Sequence, residues 1–250
     1  MAGRRLGQHF LKNKSILERI ADAACSETNV TVIEIGPGRG ALTEPLLARA
    51  DRVFAIEVDQ VLVHYLEQKF RANDRLTVLR ADVLKTDLSQ WGPVVVTGNL
   101  PYYITSPILE RALLLGPLLI NAVFLVQKEV AERIASPPGR REYGYLSVQS
   151  QLFATPEVLF DVSPSAFHPP PKVDSAVVRL RPREKPLVED AAGFLQFAGA
   201  CFQHKRKTLR NNLIGHYGKE VADALPEGGL RAEQLSIEQF IELYQRILKV

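Results

Sequence analysis

The chain has 250 residues, 46% of them hydrophobic and 24% charged, with a formal net charge of +3 from 31 basic and 28 acidic side chains. That composition excludes a disordered chain and fits one large domain or a main domain with a small appendage. Two widely separated cysteines, Cys25 and Cys201, show no CxxC or Cys/His ligand spacing, which argues against a disulfide framework or a structural zinc site and fits a reducing compartment.

In chain order, Arg4, Arg5, Lys12 and Lys14 precede the first acid, Glu18, and form one basic cluster. No apolar leader follows Arg4 and Arg5, and the longest apolar stretches, 112–115 and 122–126, are far too short to cross a bilayer. The reading is cytoplasmic. From residue 31 to 127, short β-branched runs alternate with segments of helical spacing. The runs 31–35, 53–58, 76–79, 94–97 and 122–126 are apolar on both faces, as buried strands of a parallel sheet are. Residues 59–70 read as a helix capped by Asp59, with Leu62, Leu66, Lys69 and Phe70 at three- and four-residue steps. Residues 106–115 read as another, with Ser106 as its cap and Pro107 in the first helical position.

Residues 149–160 and 176–180 read as two further strands joined through 163–172. With no helix between them, they imply an antiparallel pair at one sheet edge. The stretch from Pro182 to Pro186 breaks the pattern, and the remainder reads as helix with polar turns. It carries a second basic cluster, Lys205, Arg206, Lys207 and Arg210. The predicted architecture is α/β: a Rossmann-like sheet with right-handed crossovers and an antiparallel edge hairpin, then a small all-α C-terminal domain. The boundary falls between a domain of residues 1–184 and one of 185–250.

The first strand runs into Glu34-Ile35-Gly36-Pro37-Gly38-Arg39-Gly40. Glycines there permit a tight turn and let backbone N–H groups approach a ligand, with the next helix directing its N-terminus at it. Gly36, Gly38 and Ala41 also satisfy the loose dinucleotide fingerprint, so glycine spacing does not choose between NAD and another adenosyl cofactor. Glu57 closes the second strand, where nucleotide-binding folds carry a ribose-binding acid. Asp82 closes the third; it suits an adenine amino group, although by itself it suits a helix N-cap for the following segment better. The fourth strand ends in Gly98-Asn99-Leu100-Pro101-Tyr102-Tyr103. Asn99 offers a side-chain carbonyl, Leu100 or Pro101 a backbone carbonyl, and Tyr102 a flat face for a base. Two acceptors at one turn suit an exocyclic NH₂ group.

Taken together, the Glu34–Gly40 turn, Glu57, Asp82 and Asn-Leu-Pro-Tyr resemble the motifs of S-adenosylmethionine-dependent RNA adenine-N6 methyltransferases of class I fold. Gly7-Gln8-His9-Phe10-Leu11, the segment from Phe167 to Ser175 (FHPPPKVDS) and the segment from Phe202 to Leu213 (FQHKRKTLRNNL) resemble the KsgA type, the small-subunit rRNA adenine dimethyltransferases. The resemblance covers nearly the whole chain; His9 stands where many members have Asn. It implies S-adenosylmethionine held by His9, Leu11, Gly36, Gly38, Glu57, Asp82 and Asn99. It also implies 16S-type rRNA in a pre-30S-type particle as substrate, with N6 of two adjacent adenosines near the 3′ end methylated twice.

On that reading Asn99, Leu100 and Pro101 steer the amine, and Tyr102 and Phe167 sandwich the purine. Phe167 has a plainer reading as an apolar anchor for Pro169-Pro170-Pro171. Arg206 and Arg210, read as one helix face at i, i+4, grip phosphates together with Lys205 and Lys207. Arg140 and Arg141 are phosphate ligands or a solvated loop. No metal is expected, and a monomer is. The alternatives are the Erm type, acting on large-subunit rRNA, and an assembly factor that uses the fold mainly for RNA docking.

Overall fold

The computed structural model describes residues 9–27 and 29–249. Arg4, Arg5, Gly7 and Gln8 lie outside the described residues. Helices and strands alternate as β1 (Phe10–Leu11), α1 (Lys14–Ala24), β2 (Thr31–Ile35), α2 (Thr43–Leu47), β3 (Arg52–Glu57), α3 (Gln60–Lys69) and β4 (Leu76–Arg80). Next come β5 (Val94–Asn99), α4 (Thr105–Leu113), β6 (Leu119–Gln127), α5 (Lys128–Ala135), α6 (Tyr145–Phe153), β7 (Ala154–Val162), β8 (Phe167–His168) and β9 (Ser175–Pro182). The last elements are helical: α7 (Ala191–Phe202), α8 (Leu209–Tyr217), α9 (Lys219–Asp223) and α10 (Ile237–Ile247). Among the described residues no helix is long and apolar enough to cross a membrane.

The main sheet has the order β4-β3-β2-β5-β6-β9-β7. Strands β2 to β6 pair in parallel and β9 runs antiparallel to β6. Val32, Ile33, Val53, Ala55, Val94, Val96, Ala122 and Phe124 are almost completely buried, which is why the sequence shows no polar alternation in these strands. The order reverses between β2 and β5, so a crevice opens at their carboxyl ends, where doubly wound sheets bind ligands. A second, two-stranded sheet pairs β1 with β8, placing Phe10 opposite His168 and Leu11 opposite Phe167.

Asp59 caps α3 as expected, its Oδ1 accepting from Val61 N–H at 2.8 Å. Two element expectations are corrected. Helix α4 begins at Thr105 with Ile104 as its cap residue, so Ser106 and Pro107 lie inside the first turn, where a missing N–H costs no helical bond. Residues 149–160 are not one strand, because 145–153 form α6 and only 154–162 form β7. The helix wins there because Val148 and Leu152, one turn apart, both enter a buried cluster with Phe194, Phe197 and Phe240. The Gly144 N–H, donating to Ser147 Oγ at 3.1 Å, helps start it.

The chain forms two compact units, one running up to Ala131 and resuming over Pro156–Glu184, the other made of Glu132–Thr155 and Lys185 onward. This differs from an undivided 1–184 domain. The segment carrying α6 belongs with the C-terminal helices because its apolar face packs against α7.

Candidate active site

A cavity of about 1080 Å³ lies at the carboxyl ends of the first unit's strands, lined by the glycine turn, Glu57, Asp82, the 99–104 turn and the 9–12 segment. Gly36, Gly38 and Gly40 have φ of 66°, 57° and 76°, values glycine adopts without Cβ strain. A Cβ on Gly36 would stand 3.9 Å from the Asn99 carbonyl oxygen, and one on Gly40 within 2.6 Å of the Phe70 ring. The bare backbone therefore keeps the crevice open on one side and packs tightly on the other.

The turn does not offer a phosphate cradle, which corrects the expectation of free N–H groups backed by a helix. Gly36 N–H donates to the Ile56 carbonyl at 3.0 Å, Gly40 N–H to Pro37 at 2.8 Å and Gly38 N–H to Glu57 Oε2 at 3.3 Å. Helix α2 starts only at Thr43 and has five residues. A dinucleotide pyrophosphate needs donors here, and none of these three is free.

The cavity is lined by acids instead. Glu57 is 4% exposed; besides Gly38 it accepts from Val58 N–H at 2.9 Å and Asp59 N–H at 3.0 Å. Burial raises its pKa, and the three backbone N–H bonds pull it back. Asp82 is exposed, its Oδ1 accepting from Leu84 N–H at 3.0 Å, so it organises a turn rather than a helix. Sequence reasoning gave no role to Glu34. It is 1% exposed on β2, accepts from Thr43 Oγ1 at 2.6 Å, and is pushed up to about 7 by burial, with the Glu57 charge adding to the rise. The signal was present: an acid in a buried strand, two residues before the first glycine.

Asn99 ends β5 and is half-buried. Its Nδ2 donates to the His9 backbone carbonyl at 3.0 Å. Only the amide nitrogen can face a carbonyl oxygen favourably, so this bond turns Oδ1 to the other side, where among the described residues no donor is bonded to it. The Pro101 carbonyl already accepts from Ile104 N–H at 3.1 Å and Thr105 Oγ1 at 3.2 Å. Among the described residues no donor is bonded to the Leu100 carbonyl. Of the two backbone carbonyls, the one at Pro101 is thus engaged within the turn, and the one at Leu100 is not.

Tyr102 opens a short 3₁₀ turn, and its hydroxyl lies 3.1 Å from Ser175 Oγ. Phe167 does not face it. Phe167 is 5% exposed in the apolar core with Leu11, Val162, Ala166 and Val177, and it is absent from the cavity wall. Strand alternation on β8 turns Phe167 inward and His168 outward, and leaving the core would forfeit about 1.5–3 kcal/mol of burial. The ring that lies against Tyr102 is His9, with centroids 6.2 Å apart and planes at 26°. His9 Nδ1 donates to the Pro169 carbonyl at 2.8 Å, and the adjacent Phe10 lies under the Arg39 guanidinium, 5.3 Å from its centroid. Leu11 lines the cavity while packing into the core.

In the second unit, the basic cluster is corrected from helix to turn. Lys205, Arg206 and Lys207 lie between α7 and α8. Buried Asn212 holds this turn through Nδ2 bonds to the Cys201 and His204 carbonyls and an Oδ1 bond from His204 N–H. Thr208 then caps α8. Arg210 is paired with Asp223, whereas Arg206 and Lys207 are exposed and form no ion pair among the described residues. Lys205 Nζ donates to the Arg141 carbonyl at 2.9 Å, which joins the turn to the exposed Arg140–Arg141 loop.

Comparison with known proteins shows the family and the fold. The model of the family described as ribosomal RNA adenine dimethylase matches residues 2–249. The chain is 44% identical to the ribosomal RNA small subunit methyltransferase A of Streptococcus pneumoniae (strain P1031), over 95% of this chain and 89% of that protein. It is 42% identical to that of Bacillus licheniformis, over 98% and 91%. Among solved structures, a dimethyladenosine transferase from Plasmodium falciparum superposes with a TM-score of 0.84 at 30% identity, covering 96% and 98% of the two chains. The 23S rRNA methyltransferase ErmE superposes with a TM-score of 0.76 at 29% identity, covering 95% and 99%.

Proposed function

Because this chain belongs to the ribosomal RNA adenine dimethylase family, we propose that its cavity seats the cofactor along the Gly36 turn and Glu57 and takes one extruded rRNA adenine between Asn99 and Tyr102. The chain is an S-adenosylmethionine-dependent methyltransferase acting on adenines of small-subunit rRNA. The chemistry of the wall fits this cofactor: Glu57 and Asp82 offer negative charge and acceptors to a ligand carrying a sulfonium and an ammonium group, and Glu34, raised to about 7, adds a carboxyl group beside them. The same wall, with its glycine N–H groups engaged, disfavours the pyrophosphate of NAD. Glu57 would accept from the ribose hydroxyls, Asp82 from the adenine edge, and His9 and Leu11 would close the cavity from the N-terminal segment.

S-adenosylmethionine, when bound, supplies a methyl group on a positively charged sulfur. The chain's residues do the positioning. The adenine N6 lone pair is delocalised into the ring, so the amine is a poor nucleophile. The Asn99 Oδ1 and Leu100 carbonyls, each accepting one N6–H, would favour an out-of-plane nitrogen whose lone pair points at the methyl. Tyr102 would hold the purine plane and favour growing positive charge on nitrogen through its π face. Holding two reactants in line is worth several kcal/mol, and the ammonium product is acidic enough to lose its proton to water.

The observation that carries the assignment is the His9–Asn99 bond, which presents a carbonyl rather than an NH₂ group to the incoming amine. Outside the cavity, Arg206, Lys207, Arg140 and Arg141 would grip phosphates without choosing the base. The finer reading is two adjacent adenosines near the 3′ end of 16S-type rRNA, each dimethylated by a monomer acting in the cytoplasm on a pre-30S-type particle. Mass-spectrometric mapping of methylated adenines on rRNA from cells with and without this protein tests it. Loss of dimethyladenosine from the small subunit supports the reading. Loss from the large subunit alone supports the Erm alternative, and unchanged rRNA leaves only an RNA-docking role.

A further inference from the structure

Of the segment from Phe167 to Ser175, it is the last residue, not the first, that bonds to the substrate-facing ring. Ser175 starts β9 and is fully buried, opposite Gln127 of β6, so its position is set by the rigid sheet. Its Oγ lies 3.1 Å from the Tyr102 hydroxyl. The Tyr102 ring, by contrast, stands on a three-residue 3₁₀ turn with no side-chain cap. The turn is held by bonds to its own Pro101 carbonyl, and one hydrogen bond ties the far end of the ring to the sheet.

We propose that Ser175 is a positioning residue which, through the plane of the Tyr102 ring, governs the second methyl transfer more than the first. The inference rests on the adenine-dimethylating reading of the site. In each transfer the N6 lone pair forms the N–C bond as the S–C bond breaks, the S–C electron pair staying on sulfur and the ammonium proton passing to water. Before the first transfer the amine has two N–H groups, one for Asn99 Oδ1 and one for the Leu100 carbonyl. Afterwards only one N–H remains, and the new methyl needs room beside it. With one of two steering bonds gone, the orientation of the nitrogen depends more on the face against which the purine lies. Removing the Ser175 hydroxyl frees that face to tilt.

The test measures separate rate constants for monomethyl- and dimethyladenosine formation on unmethylated small subunits, by nucleoside mass spectrometry over time. Ser175→Ala and Tyr102→Phe each remove the same bond, from opposite ends. Each is expected to slow the second transfer about three- to tenfold more than the first. The double variant is expected to be no worse than Tyr102→Phe alone, and S-adenosylmethionine affinity by calorimetry to stay unchanged. If Ser175→Ala does not fold, Tyr102→Phe carries the measurement alone. Equal slowing of both transfers, or additive losses in the double variant, overturns the inference while leaving the methyltransferase reading intact. A wild-type chain that methylates neither subunit overturns both.

Discussion

Glu57 and Asp82 are held by N–H groups one or two residues along the chain, with Gly38 adding a third bond to Glu57. Asn99 and Tyr102, across the same cavity, are held by His9 and Ser175, 90 and 73 residues away. The wall carrying Glu57 and Asp82, the proposed cofactor wall, therefore organises itself as soon as β3 and β4 end. The wall carrying Asn99 and Tyr102, the proposed substrate wall, is organised only when the N-terminal segment and β9 have reached their places. Local bonds tolerate the loss of distant elements, whereas long-range bonds make the chemistry conditional on the whole sheet.

Breaking the substrate wall is expected to have the largest effect. Asn99→Ala removes the acceptor and should lower methyl incorporation into small-subunit rRNA at least about a hundredfold, while filter-binding affinity for the RNA stays within a small factor. Activity near wild type would refute the pocket assignment. On the cofactor wall, Glu57→Gln keeps the shape and loses the charge. It should weaken S-adenosylmethionine binding about ten- to a hundredfold by calorimetry, with RNA affinity unchanged; equal loss of both would mean the unit has misfolded.

A smaller effect is expected outside both walls. Replacing Arg206 and Lys207 together by Ala should weaken RNA binding uniformly across sequences. It should also lower the slope of log affinity against log salt by about two, with cofactor affinity untouched. An unchanged slope would mean that these side chains do not meet phosphates.

The smallest expected effect separates stability from function. The Glu34 pKa, about 7 in the folded chain, lies above its ordinary carboxylate value. Between those two values the folded chain keeps a proton that the unfolded chain releases, so stability falls as pH rises through that window. Glu34→Gln, which cannot ionise, should melt about 2–4 °C above wild type at pH 8, with the gap closing toward pH 5. A gap independent of pH would mean that burial does not hold the Glu34 proton.

Much of the cofactor wall was legible in the residues: a glycine-bearing turn after a buried strand, and acids at the ends of the next two strands. The substrate wall was legible as a motif and not as an arrangement. Nothing in Asn99-Leu100-Pro101-Tyr102 says that a backbone carbonyl at His9 orients the amide. Phe167 was misplaced because aromatic character suits a stacking face and a core equally, and only the β1–β8 pairing decides which way it turns. Lys205 to Lys207 were placed on a helix because charge spacing does not reveal that buried Asn212 bends the chain beneath them.

By itself the sequence determined the sheet, since runs apolar on both faces can be satisfied only between covering helices. It also determined the order of the strand-end polar groups and the family those groups belong to. Tertiary structure alone decided that α6 joins the C-terminal helices, that the glycine N–H groups are engaged inside the protein, and that Asn99 and Tyr102 bond to His9 and Ser175. The reason is range: periodicity and turn chemistry act over a few residues, whereas these contacts join segments far apart in the chain and exist only after the sheet has closed.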